Sequence, residues 1–356
     1  MKLKHVEQKL KAKRILVTGH TGFTGSWVRI WLESIGAQFY GLSLDNSDDI
    51  SLSKLLESRI NSEFIGDIAD SNFVFKVFEK VKPEYVLHLA AQPIVSVGYM
   101  DPFRTITSNT QGMAVILEAC RITSSVETIV CVTTDKVYKN LELGKAFIET
   151  DELKGGDPYS LSKSASEHVI EAYHEVFNHS NRKINLHVAR GGNIVGGGDY
   201  AVDRIIPDLV RSIIYRQPIL IRQPNSNRPW QHVLSLIHGY FLLLAKENLS
   251  DQGVYECWNF GPSGKKDFSV SEIIDLFTSK WESPQVAFLE KSFKESKKLN
   301  IDSTKALNEL NWKAEWNFHD VFSNTIDWYK SVHTQEAAAR EISELQLSLY
   351  RSLHSK

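Results

Sequence analysis

Short apolar runs alternate with amphipathic stretches along the chain as far as Arg190. Each apolar run has the length of a strand, and each amphipathic stretch repeats its apolar positions with the period of a helix. Strands that alternate with helices form a parallel sheet that helices cover on both faces. The pattern predicts an α/β fold, a Rossmann-type doubly wound parallel sheet, with strands at Arg14–Thr18, Gln38–Leu44, Phe64–Ile68, Tyr85–Gln92, Thr128–Val132 and Asn185–Ala189, and helices at Ser26–Ile35, Ser71–Lys80, Thr105–Arg121 and Pro158–Phe177.

Beyond Arg190 the regular alternation gives way to a mixed pattern. We interpret Gly196, Gly197 and Gly198 as a hinge or turn, because no strand, turn and helix with a lysine follows them. This part is predicted to be a smaller mixed α/β region folded over the carboxyl edge of the sheet, with helices at Ala201–Tyr215 and Val233–Leu249 and a strand at Pro218–Arg222.

The tail from about Gln335 repeats apolar side chains at helical spacing. A stripe of this kind indicates a helix that docks on the body of the protein or on a partner subunit, rather than on a membrane. Its members are Ile342, Leu345, Leu349 and Leu353.

Length and composition restrict the class of protein. A chain of 356 residues exceeds one compact core, which favours a larger domain joined to a smaller one. Hydrophobic residues make up 42% and charged residues 24%, as in ordinary soluble proteins. The formal net charge is −2 and the basic residues are scattered, so the sequence predicts no nucleic-acid partner.

Cysteine usage and the apolar runs indicate the compartment. Cys120, Cys131 and Cys257 lie far apart without C-x-x-C spacing, which is typical of buried thiols in a reducing compartment and predicts no metal site. Residues 1–13 contain no apolar core of a signal peptide, and the apolar run 240–245 is too short to span a bilayer. We expect a cytoplasmic protein without a membrane partner.

A glycine turn lies between the first predicted strand and helix. Gly19, Gly22 and Gly25 are spaced G-x-x-G-x-x-G. Glycines let the backbone approach a pyrophosphate, and the helix start offers free N–H groups and positive potential. Turns also need glycine, but in this position the triplet predicts a dinucleotide site.

The ends of the next strands are candidates for the rest of such a cofactor. The second strand should end at the adenosine ribose, where either Ser43 or Asp45 could bind its hydroxyls. The acid, together with the absence of a nearby arginine, favours NAD over NADP. The third strand, ending at Asp67 and Ile68, could meet the adenine, although a plain strand exit would look the same. Small residues after the fourth strand would let the dinucleotide lie against the backbone. His88 within that strand is interpreted as a core residue.

Tyr159 and Lys163 lie four residues apart on one predicted helix. On such a face the ammonium can sit under the phenol and stabilise its phenolate, so the pair can take a proton from a hydroxyl. A tyrosine and a lysine at this spacing more often form a surface pair, but because they follow a glycine turn in the chain, a catalytic role is favoured. Thr134, Asp135 and Lys136 add a hydroxyl, a carboxyl and an amine after the fifth apolar strand, where the alternative is a capped turn.

The sequence resembles the extended short-chain dehydrogenase/reductase superfamily over about residues 10–330, and within it the CDP-glucose 4,6-dehydratases. The superfamily features are the glycine turn, the run from His88 to Ala91 and the Tyr159-x-x-x-Lys163 pair. Motifs that are more specific to the dehydratases are Thr18 to Phe23 with Gly25 to Trp27, Thr134 to Tyr138, Arg190 to Asn193 with Gly196 to Asp199, Arg228 to Val233, and Trp258 to Pro262.

The resemblance implies an NAD-dependent lyase of deoxysugar and lipopolysaccharide O-antigen biosynthesis. Its reaction oxidises C4 of CDP-glucose, removes water across C5 and C6, and returns the hydride to C6. It further implies that Thr134 binds the sugar O4, that Tyr159 removes its proton, and that Lys163 holds the nicotinamide ribose and lowers the pKa of Tyr159. Asp135 and Lys136 supply the acid and the base for the elimination, because C5 becomes acidic only beside a C4 ketone.

The remaining site residues follow from the same resemblance. Residues 1–190 are expected to form the NAD-binding domain, residues 191–334 mainly the substrate region, and residues 335–356 a helical tail. A homodimer is expected through the helices Thr105–Arg121 and Pro158–Phe177. The cofactor-binding set is Gly19, His20, Thr21, Gly22, Phe23, Gly25, Ser43, Asp67, Ile68, Leu89, Ala90, Ala91, Tyr159 and Lys163, and the substrate-binding set is Gln92, Asn193, Arg204, Arg228 and Asn259.

Three alternatives stay open at this point. A sugar-nucleotide 4-epimerase would use the same Thr134, Tyr159, Lys163 and NAD but would not need Asp135 and Lys136. A dehydratase of another nucleotide sugar would differ only at the sugar and base. The segment between Tyr138 and Pro158 is shorter than in CDP-sugar enzymes and borders the sugar site, so the substrate is less determined than the chemistry. A non-catalytic NAD sensor would lack the Tyr-Lys pair.

Overall fold

A computed structural model describes most of the chain. The described residues are 1–45, 50–56, 63–141, 144–180, 182–221, 227–228, 230–248, 252–262, 268–288 and 299–354. Its strands are β1 Arg14–Thr18, β2 Gln38–Ser43, β3 Glu63–Ile65, β4 Tyr85–His88, β5 Thr128–Thr134, β6 Asn185–Gly191, β7 Asn193–Val195, β8 Ile219–Ile221, β9 Asn227–Arg228, β10 Trp230–His232, β11 Val254–Phe260, β12 Phe268–Ser269 and β13 Val286–Phe288.

Helices follow most of the strands. They are α1 Leu3–Lys11, α2 Phe23–Ser34, α3 Leu52–Leu55, α4 Ser71–Val81, α5 Val95–Met100, α6 Pro102–Ile106, α7 Gly112–Ile122, α8 Pro158–His179, α9 Ile205–Tyr215, α10 Val233–Leu244, α11 Val270–Lys280, α12 Thr304–Leu310, α13 Phe318–His333 and α14 Ala339–Ser352. Within the described part of the chain, none of them is long and apolar enough to cross a membrane.

Seven parallel strands form the central sheet, in the order β11-β6-β5-β4-β1-β2-β3. The chain runs outward from β1 to β3 and returns to pair β4 with β1, so strand order reverses between β1 and β4. A crevice opens at the carboxyl ends of the strands at such a reversal, and ligands bind there. The predicted fold class is confirmed.

Two apolar layers cover the sheet. On one face α2, α10, α13 and α14 pack around buried aromatic rings, and on the other α4, α7 and α8 pack around aliphatic side chains. Every residue of α10 is buried, which explains why its sequence is apolar on all sides. Representative core residues are Trp27, Trp31, Trp258, Trp328 and Tyr350 in the first layer and Val74, Phe78, Met113, Ile170 and Phe177 in the second.

The region after Arg190 also contributes to the large sheet. Its strand β11 pairs with β6 along the full length of both strands, whereas the other strands of this region form two-stranded pairs, β7 with β10, β9 with β12, and β8 with β13. Residues 191–334 are therefore joined to the sheet at one edge and add small structures beyond its carboxyl ends.

Three predicted helices are wrong in detail. The helix expected at Val233–Leu249 ends at Leu244. The helix expected at Thr105–Arg121 is interrupted by a π turn at Thr107–Gln111, where Asn109 turns its buried amide toward the Gln92 backbone and the Ser162 hydroxyl. The helix expected from Ala201 begins only at Ile205, because Asp203 has a φ of 58° and the next residue is extended.

The C-terminal helix α14 packs on the body through a different face from the predicted one. Ser343, Leu347 and Tyr350 are buried, and the Ser343 hydroxyl accepts a hydrogen bond from Trp328 Nε1 at 2.8 Å. The contact face is thus formed by small and aromatic residues. Of the predicted apolar stripe, Ile342 packs on the body, whereas Leu345, Leu349 and Leu353 are 55%, 48% and 46% exposed, so docking of these leucines on the body is wrong and docking on a partner subunit stays a prediction.

Candidate active site

A cavity of about 1790 Å³ follows the carboxyl ends of the central strands from β2 to β7. It brings most of the predicted site residues together around one space, although they come from segments up to 185 positions apart, from Gly19 to Arg204. The predicted residues that line it are Gly19, Thr21, Gly22, Phe23, Gly25, Ser43, Asp67, Ile68, Leu89, Ala90, Ala91, Gln92, Thr134, Lys136, Tyr159, Lys163, Asn193 and Arg204.

The glycine turn is fixed by close backbone packing. Gly19 has a φ of +74°, and a Cβ there would lie 2.8 Å from Ala90 N. A Cβ on Gly25 would lie 2.1 Å from Gly19 O. Gly22 is the N-cap of α2, and among the described residues no side chain caps that first turn. The turn therefore presents a smooth backbone surface and a positive helix end to the cavity, which suits a pyrophosphate.

At the end of β2 the cavity wall is polar. Ser43 Oγ and Thr21 Oγ1 lie 2.9 Å apart, and Thr21 Oγ1 donates to Leu44 O at 3.2 Å. Asp45 follows on the same wall, and Asp67 lies beyond it. A pair of hydroxyls and a carboxylate suit the hydroxyls of a ribose, and a carboxylate disfavours a 2′-phosphate.

Below the cavity floor, His88 is a core residue as expected. Its Nδ1 lies 2.7 Å from Thr18 Oγ1, and that same oxygen accepts a hydrogen bond from Ala90 N at 3.2 Å. Burial, with a smaller effect of Lys163, lowers the pKa of His88 to about 3, so the ring is neutral. Its hydrogen bond fixes the exit of β4 against β1.

The Tyr-Lys pair is buried on the first two turns of α8. Asp157 caps this helix, with Ser160 N donating to its carboxylate at 3.0 Å. Lys163 Nζ donates to Val132 O at 3.0 Å, which ties the helix to β5. Burial lowers the pKa of Lys163 to about 8. The amine can therefore exchange its proton near neutral pH.

Burial raises the pKa of Tyr159 to about 12, and a hydrogen bond with Thr134 opposes this only in part. Lys163 is not among the groups that lower it in the protein alone. That Lys163 lowers the pKa of Tyr159, as the resemblance implies, stays a prediction, and desolvation of the phenolate is the effect that it would oppose.

The acid and amine after β5 are adjacent in space as well as in sequence. A short 3₁₀ turn, Asp135–Val137, ends the strand. Thr134 Oγ1 donates to Asp135 Oδ1 at 3.0 Å, and Lys136 Nζ lies 3.5 Å from the same oxygen. Asp135 is 1% exposed and lies behind Thr134, while Lys136 reaches the cavity. A proton donor and a proton acceptor thus lie beside the hydroxyls of Thr134 and Tyr159.

The opposite wall carries the predicted substrate residues. Arg204 pairs with Asp199 at 3.0 Å, and this carboxylate raises the pKa of Arg204, so the guanidinium stays charged. Gln92 lines the cavity, but its amide donates to Thr105 Oγ1 at 2.8 Å and to Ile94 O at 3.1 Å. Asn193, at the start of β7, faces the same space. The Gln92 carbonyl also accepts from Ile94 N at 2.6 Å, so both ends of its amide are bonded within the protein, and the guanidinium of Arg204 and the amide of Asn193 are the groups that suit a diphosphate and a base.

His20 does not line the cavity. It is 1% exposed beneath Gly41, its Nε2 lies 3.2 Å from Glu63 Oε1, and its ring packs edge-on against Phe39. Burial lowers its pKa. The expectation that its side chain binds the cofactor is therefore corrected, because the imidazole joins β1 to β2 and β3 instead.

Asn259 is also withdrawn from the substrate set. It is fully buried, its Oδ1 accepts from Tyr138 OH at 2.7 Å, and its Nδ2 donates to Phe147 O at 2.9 Å. Both ends of the amide are occupied within the protein. Arg228 lies in β9 opposite Phe268, and its side chain lies outside the described residues.

Sequence reasoning missed a buried polar network beside the acid and amine. Glu167 on α8 and Arg190 on β6 form an ion pair at 2.5 Å, and Tyr138 joins it through its hydroxyl. The signal available in the sequence was a glutamate one turn after Lys163 on the inward face of the helix, with an arginine at the end of an apolar strand. Neither could be paired without knowing that β5 and β6 are neighbours.

Comparisons with known proteins agree with this geometry. The sequence model of the GDP-mannose 4,6-dehydratase family matches residues 16–325. A CDP-glucose 4,6-dehydratase of Salmonella typhimurium is 35% identical over 345 residues, which cover 94% of this chain and 96% of the relative.

Solved structures share the fold. An epimerase of Methanothermobacter thermautotrophicus superposes with a TM-score of 0.80 at 22% identity, covering 93% of this chain and 96% of its own. A dTDP-glucose 4,6-dehydratase of Bacillus anthracis, solved in complex with NAD, gives a TM-score of 0.72 at 20% identity, covering 89% and 96%.

Proposed function

The chain belongs to the GDP-mannose 4,6-dehydratase family of nucleotide-sugar enzymes, and from that premise we propose that it is an NAD-dependent hydro-lyase that converts CDP-glucose to CDP-4-keto-6-deoxyglucose. The observation that carries the proposal is the Asp135–Lys136 pair, in which Lys136 Nζ lies 3.5 Å from Asp135 Oδ1 and Lys136 lines the same cavity as Thr134 and Tyr159. An epimerase needs only the last two residues, with Lys163.

The cofactor is NAD, held by the backbone of the glycine turn. The close approach of Gly19 and Gly25 to neighbouring backbone leaves room for a pyrophosphate at the start of α2. Ser43 and Asp45 bind the ribose, and Asp67 with Ile68 borders the adenine. NAD supplies the oxidant for C4 and the reductant for C6, so the overall reaction is redox-neutral.

The side chains of β5 and α8 divide the proton transfers between them. Tyr159, with Thr134 as its hydrogen-bond partner, takes the proton of the C4 hydroxyl. Lys136 takes the C5 proton, and Asp135, whose carboxyl group lies 3.5 Å from Lys136 Nζ, donates a proton to the departing C6 hydroxyl. Acid and base serve adjacent carbons, as two adjacent residues can.

The nucleotide lies on the wall formed after Arg190. Arg204 offers a guanidinium to the diphosphate, since Asp199 leaves part of it facing the cavity. Asn193 contributes an amide group, and Gln92 lines the cavity while its own amide is bonded within the protein. A second charge from Arg228, whose side chain lies outside the described residues, belongs to the proposal from the resemblance alone. In this arrangement residues 1–190 bind NAD, residues 191–334 mainly bind the nucleotide sugar, and residues 335–356 form the helical tail.

The enzyme is a cytoplasmic homodimer. Large apolar side chains are exposed on the two helices expected at the interface and on the helix before them: Phe103 is 80%, Ile106 53% and Leu161 49% exposed. Apolar side chains grouped on neighbouring helices favour burial against another copy. Sedimentation at micromolar concentration should give a dimer, and a monomer would contradict this interface.

The proposal is tested by incubating the purified protein with NAD and, in parallel, CDP-glucose, dTDP-glucose, UDP-glucose and GDP-mannose. Loss of water by mass spectrometry, together with the absorbance of a 4-keto sugar in base, should be largest with CDP-glucose. Preference for another nucleotide would correct the substrate and keep the chemistry. A product of unchanged mass with inverted C4 would establish an epimerase instead.

A further inference from the structure

A buried ion pair lies directly behind the acid–base turn, defined here as Thr134 to Tyr138. Glu167 and Arg190 have side chains that are only 1% and 3% exposed, and Arg190 Nε and Nη2 donate to the glutamate at 2.5 to 3.1 Å. Burial would lower the pKa of Arg190, but Glu167 outweighs that and raises it. A pair this deep adds little net stability, so its value lies in holding a defined geometry.

The acid–base turn is bonded to this ion pair at two places, through Thr133, which directly precedes the turn, and through Tyr138, its last residue. On the strand side, Thr133 Oγ1 donates to Glu167 Oε1 at 2.7 Å. On the far side, Arg190 Nη1 donates to Tyr138 OH at 2.8 Å, and that hydroxyl in turn donates to Asn259 Oδ1 at 2.7 Å. The residues between the two anchors are those proposed as acid and base.

Tyr138 also connects the turn to the segment that precedes α8. Its ring stacks on Phe147 with centroids 4.9 Å apart and planes at 4°. The Phe147 backbone pairs with the segment before α12, since its N–H donates to Asn300 O at 2.8 Å. Leu299, next to that contact, lines the cavity. Tyr138 is therefore held at two points: its ring stacks on Phe147, and its hydroxyl bonds Arg190 and Asn259.

The oxidation residues are held by other contacts. Tyr159 and Lys163 are positioned by the Asp157 cap and by the bond from Lys163 Nζ to Val132 O. Neither contact involves Tyr138. A change at the Tyr138 hydroxyl should thus move Asp135 and Lys136 while it leaves Tyr159 and Lys163 in place.

We propose that Tyr138, held by Arg190 and Asn259, is a positioning residue for the Asp135–Lys136 pair and is required selectively for the elimination step. The inference rests on the proposed dehydratase function. Misplacement of a catalytic group by about 1 Å can cost on the order of a hundredfold in rate. The loss should appear at C5 and C6 and not at C4.

The test uses Tyr138→Phe, which removes one hydroxyl and keeps the ring that stacks on Phe147. In a single turnover with CDP-glucose, reduced nicotinamide should form within about threefold of the wild-type rate and then persist. Exchange of the C5 hydrogen with deuterated solvent, and loss of water, should slow by about ten- to a hundredfold. KM should change by less than about twofold. Tyr173→Phe is the matched control, since Tyr173 lies on α8 and bonds Glu118 at 3.3 Å.

The results for Tyr138→Phe, for a replacement variant and for the wild type each have a defined meaning. An equal loss of oxidation and elimination would show a merely structural role and overturn the inference, as would elimination at the wild-type rate. If Tyr138→Phe does not fold, Phe147→Leu, which keeps the Phe147 backbone contacts, must show the same selective loss, and an equal loss or none would overturn the inference. Failure of the wild-type protein to remove water would reject the proposed function instead.

Discussion

The cofactor side of the cavity and its substrate side are held in different ways. The cofactor side, formed by residues 19, 21–25, 43–45, 67–68 and 89–91, rests on backbone contacts so close that a single Cβ at Gly25 would overlap Gly19 O. The substrate side, formed by residues after Gln92 and Arg190, rests on side-chain pairs such as Arg204 with Asp199 and Ser96 with Asp203. Backbone sterics allow few sequences, whereas side-chain pairs can be exchanged. The second side is therefore where substrate choice can vary within one fold.

The largest effect is expected from a substitution that disrupts the backbone packing on the cofactor side. Gly25→Ala should weaken NAD binding by about a hundredfold or more, equivalent to roughly 3 kcal/mol, because the new methyl group forces the turn open. Isothermal titration with NAD measures the loss. Gly156→Ala is the control on the other side, since a Cβ there meets nothing within 4 Å although the residue lines the cavity. Equal NAD affinity in both variants would contradict the steric account.

The next largest effect is expected at Lys136, where the cofactor side and the substrate side meet. Lys136→Met should leave C4 oxidation intact, because Thr134, Tyr159 and Lys163 are unchanged, and should slow elimination by about 10²- to 10⁴-fold. Single-turnover absorbance should show reduced nicotinamide that persists, with little C5 exchange.

Asp135→Asn is the companion variant of Lys136→Met. Oxidation and C5 exchange should continue while the C6 hydroxyl is retained, since only the proton donor is removed. If Lys136→Met still exchanges the C5 hydrogen at the wild-type rate, the base is another group, even if the overall reaction is as proposed.

A smaller effect is expected on the substrate side. Arg204→Gln should raise KM for the nucleotide sugar about tenfold with kcat nearly unchanged, because a charged contact to a diphosphate contributes about 1.4 kcal/mol or more. Steady-state kinetics separates the two constants. Arg216→Gln is the matched control, since this exposed arginine after α9 pairs with Glu282. An unchanged KM in Arg204→Gln would assign that residue to the Asp199 pair alone.

The sequence predicts the cofactor side better than the substrate side for a physical reason. The turn at Gly19 to Gly25 and the Tyr159–Lys163 pair depend on neighbours within a few residues, so spacing alone indicates them. The substrate side depends on contacts between distant segments. Asn259 bonds a tyrosine 121 positions away, and no local pattern shows that its amide is already occupied.

Helical periodicity also does not predict which face of a helix is buried when the shape of the neighbouring surface decides it. In α14 the apolar stripe was predicted to dock on the body or on a partner subunit, but the face that contacts Trp31 and Trp328 on the body is the one with Ser343 and Tyr350. In the helix before Arg121, the π turn exists because Asn109 must reach the Gln92 backbone. Both outcomes depend on the partner surface, which the helix's own sequence does not describe.

The cofactor side and the substrate side of the cavity each lie over a buried, neutral histidine. His88 lies under the cofactor side and His232, at the start of α10, under the substrate side, and burial lowers the pKa of each to about 3. Since the unfolded chain protonates histidine near pH 6.5, it binds protons between pH 6.5 and 3 that the folded protein does not. Stability must therefore fall as the pH falls through that window.

The smallest predicted effect tests this with His232→Asn. His232 Nδ1 accepts from Leu234 N at 3.3 Å, a capping role that asparagine can take over without a titrating ring. Between pH 6.5 and 5 the wild type should lose about 1 to 2 kcal/mol more unfolding free energy than the variant, since one proton is worth about 1.4 kcal/mol per pH unit. Urea unfolding at the two pH values measures the difference. His168→Asn, at an exposed ring, should leave the slope as in wild type. If the slope of His232→Asn equals that of the wild type, the ring already binds its proton in the folded state, and the substrate side does not rest on a neutral histidine.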